Sequence, residues 1–155
     1  MCSISGFNFK DEGLILKMNQ ATSHRGPDDT GVFLDDSVSL GHNRLSIIDL
    51  SPNGHQPMIS QDKNFAIVFN GEIYNFQEIK KELEDKGYKF FSVSDTEVIL
   101  KSYQEYGESC LNKFNGIFAF AIWDGRKKEL FLARDHIGVK PLYYGKDKDN
   151  ALWFA

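Results

Sequence analysis

The chain has 155 residues, 41% of them hydrophobic and 26% charged, proportions that suit one globular domain large enough for a real core. Its net charge of −4, with no Lys/Arg-rich run, argues against nucleic acid or an anionic membrane as a partner, and no apolar run approaches the roughly 18 residues of a membrane span. Two cysteines make no disulfide framework and fit a reducing, cytoplasmic compartment, and the histidines (His24, His42, His55, His136) lack metal-ligand spacing, so no metal site is expected.

Met1-Cys2-Ser3-Ile4-Ser5-Gly6-Phe7 reads as a strand with Cys2 and Ile4 on one face and Ser3, Ser5 and Phe7 on the other. Lys10 and Asp11-Glu12 break any resemblance to a signal peptide. A lone cysteine is more often a small buried hydrophobe than a catalyst. At position 2 it has another use. Once Met1 is removed, one residue carries a thiol, titrating near ~8.5, and an α-amine, titrating near ~8, so the nucleophile brings its own base. Asp11-Glu12-Gly13 reads as a turn, followed by a short helix through Leu14, Ile15 and Met18. His24–Gly31 is a polar loop, with Gly26 extended before Pro27. Strands are expected at Gly31–Leu34 and Val38–His42. Arg44 then stands at the edge of an apolar run, where it either forms a surface ion pair or offers a planar fork to a carboxylate.

Phe65–Phe69 is wholly apolar and reads as a strand buried on both faces. The Asn70-Gly71 that follows is a common hairpin turn, but no strand returns. Asn75 with Glu78 has capping-box spacing for a helix through Ile79 and Leu83, stopped at Gly87. Asn70 and Gly71 therefore sit at a strand end, where a side-chain amide and a backbone N–H can serve a developing oxyanion. Tyr88–Phe91 is expected as a strand, and Ser94-Asp95-Thr96-Glu97 as a second capping box opening a helix to Gly107. Asp95 complements the helix dipole or binds a ligand. Gly116–Trp123 and Glu129–Arg134 form an antiparallel pair, Arg134–Pro141 is a charged structural loop, and the chain stops at Ala155 inside a strand, as a fragment of a longer protein would.

Together these pieces resemble the glutaminase domain of asparagine synthetases, class II glutamine amidotransferases of the N-terminal-nucleophile hydrolase superfamily. The resemblance spans 1–155 and rests on Met1-Cys2, HRGPDD at 24–29, GHNRLSIIDL at 41–50, GHQPM at 54–58, FNGEIYN at 69–75, SDTEVIL at 94–100, FNGIFAFAIWD at 114–124 and ARDHIGVKPLYY at 133–144. It implies an α+β fold, a four-layer αββα sandwich with mainly antiparallel sheets. It also implies Cys2 as nucleophile, Asn70 and Gly71 as the oxyanion hole, Arg44 for the glutamine α-carboxylate, and Asp95 with Glu72 for the α-ammonium. Arg25 is expected to shape the pocket mouth. His136 stands where the family commonly has arginine. No cofactor is expected in this domain; ATP and Mg would belong to a synthetase domain, the expected partner in cis or in trans, and a homodimer is compatible with the resemblance. Another class II amidotransferase, amidating a sugar or cell-surface precursor, and a non-catalytic glutamine-binding module are the competing readings.

Overall fold

In the computed structural model, which describes residues 1–155, the chain runs β1 (Ser3–Phe7), α1 (Glu12–Thr22), β2 (Asp29–Asp35), β3 (Val38–Arg44), β4 (Met58–Ile59), β5 (Phe65–Ile73), α2 (Phe76–Asp85), α3 (Asp95–Tyr106), β6 (Gly116–Asp124), β7 (Glu129–Arg134), β8 (Tyr144–Lys146) and β9 (Leu152–Phe154). The strands form two antiparallel sheets, one in the order β2-β3-β1-β9-β8 and the other β4-β5-β6-β7.

Alternation along the strands decides how the sheets stack. Ile4, Val38 and Leu40 of the first sheet and Ala66, Val68, Ala119 and Ala121 of the second form one buried cluster, which is the layer between the sheets. The three alanines let the sheets approach closely. The intervening residues of β5 and β6, Phe65, Ile67, Phe69, Phe118, Phe120 and Ile122, face the other way and pack on Ile79 and Leu83 of α2 and on Val98, Ile99 and Tyr103 of α3. On the outer face of the first sheet lies α1, whose buried residues are Ile15 and Asn19. Asn19 joins helix to sheet, donating to the Gly31 carbonyl at 3.0 Å and accepting, through its own carbonyl, from Asn43 Nδ2 at 2.8 Å. Gly41 allows this approach, since a Cβ there would lie 2.3 Å from Asn19 Oδ1. The layers are thus helix, sheet, sheet, helices, the αββα sandwich expected.

Several local expectations change. Asp11 does not merely turn the chain; its carboxylate accepts from Leu14 N at 2.9 Å and caps α1. Leu14 is exposed and the buried side of α1 is Ile15 with Asn19. Asn75 makes no capping bond, because its amide bridges Lys113 O (2.9 Å) and Asn115 N (3.0 Å) instead. Tyr88–Phe91 is not a strand: the Glu97 carboxylate takes the Phe91 and Ser92 amides, at 3.0 and 2.7 Å, that a ladder would need. For the same reason Glu97 does not complete a capping box, and α3 is capped by Ser94 Oγ accepting from Thr96 N. Most important for the site, β5 does not end at Phe69. It continues through Asn70, Gly71 and Glu72 to Ile73, still paired with β6.

Candidate active site

The layer between the sheets is apolar at its centre and turns polar at one end. Ile4 is followed two residues back by Cys2, Leu40 two and four residues on by His42 and Arg44, and Val68 likewise by Asn70 and Glu72, each on the same face as its apolar neighbour. Cys2, Arg44, Asn70 and Glu72, which extend three buried strands, are therefore delivered to one opening, while His42 stays buried behind it. A cavity of about 120 Å³ lies there, and Cys2, Arg44, Asn70, Gly71, Glu72 and Asp95 all line it. Those are six of the seven residues expected from sequence.

Cys2 is held by the strand beside it. The β1–β3 register pairs Ser3 with Asn43, so one more step places Cys2 across from Arg44. The Leu45 N–H donates to Cys2 Sγ at 3.4 Å, and the thiol faces the Leu45 carbonyl at 3.7 Å. Met1 also lines the cavity, with its Sδ 3.3 Å from Lys140 Nζ. Arg25, the seventh expected residue, is not in the cavity wall. Its Nε donates to the Cys2 carbonyl at 3.3 Å, tying the turn at Ser23–Arg25 and the strand backbone together behind the cavity wall.

The direction of the Gly71 N–H follows from the alternating ladder of β5. Phe118 N–H points away from β5, donating to Asp135 Oδ2 at 3.1 Å, so Gly71, directly across from Phe118, is not hydrogen-bonded to it. The N–H groups of Phe69, Gly71 and Ile73 thus share the edge of β5 facing away from β6. β4 reaches only as far as Ile67 on that edge. Phe69 N–H is taken by Gln56 Oε1 at 2.7 Å and Ile73 N–H by Asp95 Oδ2 at 3.0 Å, which leaves Gly71 N–H as the open donor between them. Only glycine fits at 71, since a Cβ would lie 2.3 Å from Ile117 O and 2.7 Å from Phe118 Cα. Asn70, its neighbour on the strand, also lines the cavity.

Two buried charges define the rest of the wall. Arg44 is buried and has no carboxylate within ion-pair distance; its Nη atoms donate to the carbonyls of Ile48 (3.2 Å), Ser51 (3.4 Å) and Asp49. Three of its five donors are therefore committed to the following loop, and the fork is less free than its sequence position suggested. Asp95, only 4% exposed, opens α3. Burial pushes its carboxyl up to about 6, against the pull of the Ile73 amide, and the nearby Glu72 charge pushes the same way. An unpaired guanidinium and an unpaired carboxylate on one cavity match the two charges of an α-amino acid. Cys110, by contrast, is sealed in the core with its thiol pushed up to about 12 by burial.

Sequence reasoning missed Leu45, Gln56, Thr96 and Lys140, which also line the cavity. Leu45 contributes backbone groups, which leave no trace in residue type. Gln56 sits in a Gly/Pro-rich loop that reads as a connection.

The fold is shared with a solved amidotransferase structure of low sequence identity. It superposes on a glutamine phosphoribosylpyrophosphate amidotransferase from Bacillus subtilis with a TM-score of 0.79, over 99% of this chain and 41% of that one, at 21% identity. The family model described as a glutamine amidotransferase domain matches residues 1–155, and the chain belongs to that family. It is 50% identical to asparagine synthetase 1 of Bacillus subtilis over 93% of its own length and 22% of that protein's. With asparagine synthetase B of Escherichia coli it shares 42% identity over 100% of its length and 29% of the relative's. The chain thus spans less than a third of either relative.

Proposed function

We propose that this chain is the glutaminase domain of a glutamine-hydrolysing asparagine synthetase. The observation that carries the reading is the convergence, on one cavity, of Cys2 Sγ, two uncommitted amide donors (Asn70, Gly71) and two unpaired charges of opposite sign (Arg44, Asp95). Glutamine enters with its α-carboxylate toward Arg44 and its α-ammonium toward Asp95, Glu72 assisting. With Met1 removed, the Cys2 α-amine takes the thiol proton and the thiolate attacks the side-chain amide carbon. The oxyanion accepts from Gly71 N–H and the Asn70 amide. The protonated Cys2 α-amine returns the proton to the leaving nitrogen, ammonia departs, and water cleaves the γ-glutamyl thioester to glutamate, freeing the Cys2 thiol. These steps use this chain's own groups. ATP and Mg belong to a synthetase domain that would activate aspartate and receive the ammonia, in cis or in trans, in the cytoplasm, with a homodimer as the assembly. The 50% identity to an asparagine synthetase favours that acceptor over a sugar or a cell-surface precursor.

The test is release of glutamate and ammonia from glutamine by the purified protein, with mass mapping after an electrophilic glutamine analogue. Adduct on Cys2 with Cys110 untouched is the expected result; adduct on Cys110 alone would remove Cys2 from its role. Protein that retains Met1 should turn over at least ~10²-fold more slowly, because an amide nitrogen cannot accept the proton and the extra residue displaces the substrate. Intact mass paired with rate, on processed and unprocessed preparations, checks this.

A further inference from the structure

Beyond Ile67 the outer edge of β5 has no neighbouring strand, yet it is the edge that carries the Gly71 donor. An unpaired edge in an interior must find other partners for its N–H and C=O groups. Here side chains provide them. The Phe69 carbonyl accepts from His42 Nε2 at 3.0 Å, the Phe69 N–H donates to Gln56 Oε1 at 2.7 Å, and the Ile73 N–H donates to Asp95 Oδ2. Of these partners Gln56 is the one with a second attachment inside the cavity wall. It is buried, its Nε2 donates to Thr96 Oγ1 at 3.3 Å in the first turn of α3, and its backbone carbonyl packs where a Cβ on Gly31 would come within 2.2 Å. One side chain thus links the strand bearing Asn70 and Gly71 to the helix turn bearing Asp95.

We propose that Gln56 is a positioning residue of the amidotransferase reaction: by holding the Phe69 N–H it fixes the Val68–Phe69 peptide, two peptide units before the one that bears the Gly71 N–H, relative to the helix turn that holds the substrate α-ammonium. The inference rests on the function proposed above. Gln56 donates nothing to the oxyanion itself. Its contribution is geometric, and a displacement of about 1 Å at reacting groups costs roughly 10²-fold in rate.

The test compares the wild-type chain with Gln56→Met, which keeps length and bulk but neither hydrogen bond, and with Gln56→Glu, whose carboxylate can accept from both Phe69 N–H and the Thr96 hydroxyl. Gln56→Met should lower kcat for glutamine hydrolysis by roughly 10²-fold with a much smaller change in KM, and Gln56→Glu should recover most of that loss. Alkylation of Cys2 by iodoacetamide, a displacement with no oxyanion, should proceed at the wild-type rate in Gln56→Met. Amide hydrogen exchange is the readout independent of activity: Phe69 N–H should lose protection in Gln56→Met and keep it in Gln56→Glu. Should Gln56→Met fail to fold, Thr96→Val removes the second attachment alone and should accelerate Phe69 exchange while lowering kcat. Unchanged Phe69 protection in the folded variant, unchanged kcat, or an equal fall in alkylation and turnover would each overturn the proposal. A wild-type chain that releases no glutamate, while Phe69 protection still responds to Gln56, would instead overturn the function and leave only the structural clamp.

Discussion

The two walls of the cavity are built differently. On one side, Asn70 and Gly71 stand on a nine-residue strand whose core neighbours Phe65, Ile67 and Phe69 are buried, and whose open edge is fastened by Gln56, His42 and Asp95. On the other, Arg44 ends β3 and is followed by a loop with no ladder of its own. That loop is tied down by polar contacts: Ser46 N–H to Asp28 Oδ2 at 2.8 Å, and Val93 N–H to Asp49 Oδ2 at 3.0 Å. Ile47 and Leu50 in it are 76% and 78% exposed. The difference matches the physical demands of the two tasks proposed for these walls. Donors to a short-lived oxyanion act only if their positions are fixed beforehand, whereas a ground-state charge contact tolerates adjustment on binding.

The comparison can be broken by mutation. The largest effect is expected on the strand wall: Asn70→Ala should lower kcat by roughly 10²–10³-fold with KM little changed. Steady-state kinetics showing a KM defect alone would erase the distinction between the walls. Next is Asp95→Asn, which should cost on the order of 10²-fold in kcat/KM by removing the charge opposite the α-ammonium. The same change should raise the melting temperature at pH 8. Burial lifts the Asp95 carboxyl from 3.8 to about 6, so the folded state favours the protonated acid, and the charged form penalises folding as pH rises through that window. Removing the charge should return up to about 3 kcal/mol. For the wild type, the glutamine KM should rise as pH falls through about 6, where Asp95 takes up its proton. A third, smaller effect belongs to the loop wall: Arg44→Lys keeps the charge but loses the planar donors and should raise KM by roughly tenfold. Smallest is Asp28→Ala, which frees the Ser46 amide and should cost about 1 kcal/mol, or roughly fivefold in KM.

The site residues were legible through the motifs that resemble a known family, and the alternation of inward-facing positions on β3 and β5 accounts for their convergence. Val38, Leu40 and Val68 mark the interior face, and counting on by two leads to His42, Arg44, Asn70 and Glu72. What was not legible depended on partners far along the chain. Glycine at 71 read as a strand terminator; the strand continues because a close backbone approach at Ile117 and Phe118 needs glycine there. Tyr88–Phe91 has strand composition, but a single carboxylate, Glu97, claims its amides. Gln56 has no local signature, since both of its partners, Phe69 and Thr96, are remote. Arg25 was found by its motif, but nothing local indicates that its guanidinium will seek the Cys2 carbonyl.

The position of β1 has a consequence for the timing of assembly. It pairs with β3 on one side, and on the other with β9 through Gly6–Phe154 and Phe7–Trp153. On the ribosome, β1 can join β2 and β3 early. Its far side then stays an unpaired edge until residues 152–154 emerge, almost the whole length of the chain later. The segment that carries Cys2 thus completes its pairing only through a contact of very high sequence separation, of the kind that slows folding.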